Sequence, residues 1–330
     1  MERYNGLKGY SKKRYLTDKD GLKQKLEEYG VAIIPGVLND EECESLSKGM
    51  WDFFENITQK MEKPIDRNEK KTWRTFYDLY PLHSMLFQHW SIGHAQFAWD
   101  VRQNEKVVDI FSHFWKCSKE ELLVSFDGAS FNVPPEITNR GWNRNNVWLH
   151  TDQSYMRPNF ECVQSWITAL DVNKGDATLG FLEGSHKFHE EFAEKFNITS
   201  KSNWFRINNE EYLNFYLEKG CKLKKIMCPK GSLVVWDSRT IHCGIEATKE
   251  RELPNFRNVV YICYSPRSLA RKTDLKKKLK AFDELRTTTH WPSKPKLFSK
   301  VPRTYGNDIP NVSQINPPVL NELGKKLAGF

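Results

Sequence analysis

From residue 122 onward the chain is punctuated into short apolar runs, and that punctuation restricts its fold more than any other feature. The runs 122–126, 162–170, 179–182, 232–236 and 258–264 are rich in Val, Ile, Leu and aromatic residues, and turn-forming residues separate them. Strands of that length cannot bury their apolar faces singly, so five or more imply sheets packed together in a mainly β core.

Helical decoration surrounds this core. A helical stretch at 20–29 leads into the apolar strand Val31, Ala32, Ile33, Ile34, which stops at Pro35-Gly36. Asn39 is a good N-cap, followed by Asp40, Glu41 and Glu42, for a helix running towards Met61 with Leu46, Met50, Phe53 and Phe54 on one stripe. Pro64 and a crowd of charges make 62–72 a loop, while 107–115 reads as helix. No repeat or linker divides the 330 residues. The sequence predicts one domain: a helical amino-terminal part with one strand at 1–121, the β core at 122–265 with a helical insert at about 186–218, and a basic extension at 266–330.

Two side chains inside the core carry metal chemistry. His150-Thr151-Asp152 lies in a stretch that reads as extended, and on a strand residues i and i+2 share a face. An imidazole and a carboxylate on one face supply two of the three ligands of a 2-His-1-carboxylate site. The third must be a distant histidine, and His242 stands near the end of the stretch 231–244, where a hydrophobic strand reading runs into a glycine-marked turn. A second match, His189-Glu190-Glu191, sits among aromatic residues at helical spacing. On a helix, i and i+2 do not face together, so that pair is set aside.

Composition excludes several alternatives. With 39% hydrophobic and 28% charged residues the chain is an ordinary globular one. Seven cysteines, odd in number and without a C-x-x-C pair, argue against a disulfide framework and a structural zinc site. No apolar run is long enough to span a bilayer, and Met1 to Gly6 lead into no signal-peptide core, so the expected location is the cytoplasm, with the nucleus as the alternative. Part of the net charge of +8 is concentrated in Arg271, Lys272, Lys276, Lys277, Lys278 and Lys280, continued by Lys294, Lys296, Lys300 and Arg303. Such a run is a solvated helix face or a nucleic-acid surface, but no nucleic-acid motif accompanies it.

Longer segments add a resemblance. His150-x-Asp152, then 175–187 with Leu182-Glu183-Gly184-Ser185-His186-Lys187, then 231–242, then Arg257-Asn258-Val259-Val260-Tyr261 resemble, in this order, the phytanoyl-CoA dioxygenase family of Fe(II)/2-oxoglutarate oxygenases. Glu183 stands where that family's segment has proline, and 29–38 resembles its opening strand and turn. The likeness covers about 20–265.

The resemblance implies a double-stranded β-helix, or jelly roll, in which His150, Asp152 and His242 bind Fe(II). It also implies 2-oxoglutarate as cosubstrate and O2 as oxidant, with hydroxylation of an unactivated C–H and release of succinate and CO2. Arg257 takes the place of the family's arginine for the far carboxylate, with Arg251 as its rival. Asn132 and Ser165 fall near positions that hydrogen-bond the cosubstrate in relatives, or are plain strand polar residues. Candidate lids are 73–94 and 134–146, and 286–292 reads as a packed surface connection or a pocket wall. A small-molecule substrate is the leading expectation. A non-catalytic metal- or ligand-binding jelly roll, and an oxygenase acting on nucleic acid or protein, are the alternatives. A halogenase is disfavoured, because such relatives lack the carboxylate that Asp152 supplies.

Overall fold

In a computed structural model the described residues are 12–79, 86–144 and 147–330. Residues 80–85 and 145–146, which belong to the two candidate lids, lie outside them. Twelve strands are formed among the described residues: β1 (Val31–Ile34), β2 (Leu122–Val124), β3 (Ala129–Asn132), β4 (His150–Thr151), β5 (Val163–Thr168), β6 (Thr178–Leu182), β7 (Phe205–Arg206), β8 (Leu223–Lys225), β9 (Leu233–Asp237), β10 (His242–Ile245), β11 (Arg257–Tyr261) and β12 (Tyr264–Pro266). One antiparallel sheet has the order β1-β9-β5-β11-β3, a second β7-β4-β10-β6-β8, and β12 pairs with β2 apart from both. This is the jelly roll expected, with helices around it.

Side-chain alternation sorts the core into three layers. Val31, Ile33, Trp166, Val234, Trp236 and Val259 of the first sheet meet Leu179 and Phe181 of the second, filling the space between them. Facing the other way, Ala32, Ile34, Val163, Ile167, Val235 and Val260 pack on the amino-terminal helices. The outer face of the second sheet, with Leu182, Cys243 and Ile245, is covered by Phe192, Leu213, Phe215 and Tyr216 from helices His189–Lys195 and Glu210–Glu218. Every strand of the first sheet is therefore buried on both sides. Its apolar runs show little polar alternation for that reason.

Local sequence explains the main helix. Asn39 caps Asp40–Thr58, its side chain accepting from Glu42 N while the Glu42 carboxylate accepts from Asn39 N. Such a capping box contributes about 1 kcal/mol. Met50, Phe54 and Ile57 of this helix are fully buried against the first sheet.

Two features differ from the sequence reading. His242 does not end a strand; β9 stops at Asp237 and His242 opens β10. The reversal between them has no Gly or Pro and is held by Asp237, whose carboxylate accepts from Arg239 N and whose carbonyl accepts from Thr240 N. The segment expected to be a helical insert also contains β7, paired with β4. In the extension, helix Lys272–Asp283 is followed by irregular chain and then helix Glu322–Ala328, which packs beside β2.

Part of the basic run of the extension is paired with carboxylates. Arg271 pairs with Asp274, Lys280 and Lys300 with Glu284, and Lys294 with Glu161, while Lys278 is fully buried.

Candidate metal centre

Strand pairing brings the two histidines together, because His242 is the direct partner of His150 across β10 and β4. Opposite residues of an antiparallel pair project from the same face, here the inner one. Their rings lie 4.5 Å apart between centroids. Asp152 sits in the bend just beyond the two-residue strand β4, where its amide still donates to the Ser238 carbonyl. That bond keeps the carboxylate beside the imidazoles: Oδ2 is 3.6 Å from His150 Nε2 and 3.4 Å from His242 Nε2. Ligand atoms of His150, Asp152 and His242 all lie within 4.8 Å of one another. Thr151 points away, its hydroxyl donating to the Ser238 carbonyl.

Both rings are prepared for a metal. His150 Nδ1 lies 3.1 Å from the Trp148 carbonyl and His242 Nδ1 2.9 Å from the Thr240 carbonyl. A carbonyl only accepts, so each Nδ1 carries the proton and each Nε2 keeps its lone pair turned to the centre. Burial and the adjacent His150 push His242 down, which favours the neutral ring that ligation requires. Trp148 stacks on His150 at 4.6 Å and 10°, fixing its plane.

The contact most easily missed in the sequence is Gln164, whose Nε2 donates to Asp152 Oδ2 at 3.1 Å. It shares the inner face of β5 with Trp166. Ser165 takes the opposite face, and its hydroxyl donates to the Ile262 carbonyl. The structure therefore does not bring Ser165 to the centre, since an odd shift along a strand reverses the side.

Arg257 opens β11 on the inner face, 4% exposed, with its guanidinium 5.2 Å over the Trp166 ring. Nη1 donates to the Ala177 carbonyl at 2.9 Å, whereas Nε is buried and unpartnered among the described residues. Asn132 is its direct cross-strand neighbour on β3, and its Oδ1 is likewise buried without a partner. Arg251 is committed elsewhere, to the carboxylates of Glu136 and Asp176 and the Asn255 carbonyl. The discarded pair is also accounted for. His189 stacks on Tyr155 at 4.3 Å and bonds the Ser154 carbonyl, while Glu191 pairs with Lys219.

Two further residues touch the framework of the centre. Glu183 accepts from the Tyr15 hydroxyl and lies 3.4 Å from Arg14, tying the turn after β6 to the amino-terminal segment. Gly30, at φ +79°, accepts through its carbonyl from Asp237 N and Thr240 Oγ1, both at 3.0 Å. A Cβ there would lie 2.6 Å from Thr240 Oγ1 and 2.7 Å from His186 Nδ1.

Two imidazoles and one carboxylate converging inside a jelly roll form the donor set of the non-haem iron oxygenases. The chain belongs to the phytanoyl-CoA dioxygenase family (PhyH), whose sequence profile matches residues 26–248. It is similar to the Ava biosynthesis cluster protein O of Aspergillus versicolor, at 26% identity over 270 residues, 80% of this chain and 83% of that protein. Its fold is like that of the hypothetical protein JW0805 of Escherichia coli, with a TM-score of 0.57 at 12% identity, covering 96% of this chain and 85% of that one. The GIG2 protein of Candida albicans superposes with a TM-score of 0.53 at 13% identity, over 81% of this chain and 68% of that one.

The protein is accordingly an oxygenase that uses Fe(II), 2-oxoglutarate and O2, and the donor chemistry of its centre fits the metal. Among the described residues no helix is long and apolar enough to cross a membrane.

Proposed function

We propose that the protein hydroxylates an unactivated C–H bond of a small molecule, with His150, Asp152 and His242 holding Fe(II) and Arg257 holding the far carboxylate of 2-oxoglutarate. The observation that carries the reading is the pair of Nε2 lone pairs, both left free by Nδ1 bonds to carbonyls and both turned to one carboxylate oxygen. When bound, iron and 2-oxoglutarate supply the oxidising chemistry: one atom of O2 enters the substrate as hydroxyl, the other enters succinate, and CO2 leaves.

The chain's own residues supply position. Gln164 donates to Oδ2 of Asp152, the oxygen nearest both imidazoles, and so restrains the carboxylate that would face the metal. Arg257 keeps its Nε buried and without a partner among the described residues, a donor that suits a carboxylate, while the Trp166 ring beneath it limits its movement. Trp236, 5.4 Å from the His242 ring, and Val234 line the same apolar interior and keep it dry. A dry interior strengthens the charge contacts made inside it.

Anaerobic addition of Fe(II) and then 2-oxoglutarate should give the weak visible charge-transfer band of a chelated keto acid. Aerobic incubation with candidate small molecules should release succinate, with Asp152→Ala as the blank. A folded, iron-loaded protein that shows no band would overturn the proposal.

A further inference from the structure

The extension beyond the family profile folds back onto the segment that follows Asp152. At 286–298 it folds into a narrow loop: Thr288 pairs with Leu297, Thr289 N donates to the Lys296 carbonyl at 2.9 Å and Phe298 N to the Thr287 carbonyl at 3.0 Å. Its base is fixed to the core. Thr288 N donates to the Phe126 carbonyl, Phe126 N donates to the Thr288 hydroxyl, and His94 Nε2 bonds the Arg286 carbonyl.

The tip is fixed to the segment that carries Asp152. The Arg157 guanidinium lies 4.9 Å over the Trp291 ring, and Lys294 Nζ is 3.2 Å from Glu161. Arg157 in turn belongs to a loop held by Gln153, whose Nε2 donates to the Arg157 and Asn159 carbonyls at 2.6 Å. Gln153 directly follows Asp152. Between base and tip stands His290, with Nε2 shut off from solvent and without a hydrogen-bond partner among the described residues.

Other buried imidazoles with an unpartnered nitrogen, those of His94, His186 and His189, each place the second nitrogen on a carbonyl. Among the described residues no such bond occupies His290. It lies in the electrostatic field of Asp152, His242 and His150 together, and burial keeps its ring neutral. A neutral imidazole can offer an N–H next to a dication, where a lysine or arginine would be repelled.

We propose that His290 is a fourth functional side chain of this centre, its Nε2–H donating a hydrogen bond to a carboxylate oxygen of the keto acid bound at the metal. The inference rests on the reading given under Proposed function. It turns an unsatisfied buried nitrogen into a binding group, and it makes the extension part of the active site.

Titration of the full chain and of His290→Ala and His290→Gln, with Fe(II) alone and then with 2-oxoglutarate under anaerobic conditions, tests it by calorimetry and by the visible band. Fe(II) affinity should stay within about twofold, and 2-oxoglutarate affinity should fall about tenfold in His290→Ala, the size of one charge-assisted hydrogen bond. His290→Gln, which restores a donor, should recover most of the loss. Unchanged 2-oxoglutarate affinity in His290→Ala would falsify the proposal. So would a tenfold loss of Fe(II) affinity in both variants, which would make His290 a metal ligand instead. Equal weakening in Ala and Gln together with a lowered melting temperature would show a structural role. If the parent chain binds neither Fe(II) nor 2-oxoglutarate, the hydroxylase reading fails as well, and the two failures are told apart.

Discussion

In the first sheet β5 runs beside β9 from Val163 to Ile167, and β11 runs beside β3 along four consecutive positions; in the second, β4 touches β10 only at His150–His242. Yet both imidazoles of the candidate centre come from the thinner sheet. What replaces the missing ladder is a set of polar bonds around the Ser238 turn: Asp152 N and Thr151 Oγ1 to the Ser238 carbonyl, Ser238 Oγ to Gln153 Oε1 at 2.8 Å, and Ile241 N to Ser185 Oγ at 2.9 Å. The first sheet is held by packing and long ladders; in the second, β10 keeps a four-position ladder with β6, and it is the β4 end that is held by bonds aimed at single atoms. Side chains of the first should therefore govern stability and cosubstrate binding, and those of the second metal binding.

The largest expected effect is at the second sheet. Asp152→Ala should lower Fe(II) affinity by more than about 100-fold, beyond the loss seen when outer partners of metal ligands are removed. An anaerobic titration with affinity within threefold of the parent would break the contrast. Next comes Arg257→Ala, which should weaken 2-oxoglutarate by about 30-fold through lost charge-assisted bonds while leaving Fe(II) affinity intact. Parallel losses of both ligands would show that the two sheets do not divide the work.

Gln164→Leu should weaken Fe(II) about tenfold, because this amide of the first sheet holds the Asp152 carboxylate. Acid should act mainly through packing. His94 is fully buried beside Arg102 and Lys278, and its pKa is pushed down to about 3 by burial. A ring that resists protonation only when folded contributes stability that is complete above the unfolded value and is lost as pH falls from about 6.5 towards 3, at up to about 1.4 kcal/mol per pH unit. Denaturant midpoints measured from pH 7 to 5 should fall less steeply in His94→Phe than in the parent, and equal slopes would remove His94 from the account. The smallest effect is Ser165→Ala, at about 1 kcal/mol of stability and no change in either binding constant. A weakened 2-oxoglutarate constant there would return Ser165 to the site.

The sequence was most informative where one residue type has one structural use. Asn39 before three acids marked a helix start, and the apolar runs marked the strands of the doubly buried sheet. His150-x-Asp152 was legible because period-two spacing has a geometric meaning. His242 was found, but its strand was misread because the turn before it is made by the side chain and carbonyl of Asp237 rather than by Gly or Pro. Gln164 and Ser165 are adjacent and equally polar, and only the register says which one faces inward. His290 lies in a segment without periodicity, and the placing of that segment beside the one after Asp152 depends on contacts of Trp291 with Arg157 and Lys294 with Glu161, made more than 130 positions away.

Position 30 links distant parts of the chain in a way that a catalogue of ligands would omit. The Gly30 carbonyl holds Thr240, and the Thr240 carbonyl holds the ring of His242, so a side chain at position 30 would press on the same turn that aims the distal imidazole. In a saturation scan scored by iron retention, substitutions at 30 would cluster with those at 242 although 210 residues separate Gly30 from Thr240. The opening helix-to-strand turn is thus an error-sensitive reference point for the centre, and variants there would be mistaken for ligand mutants unless folding were measured alongside metal.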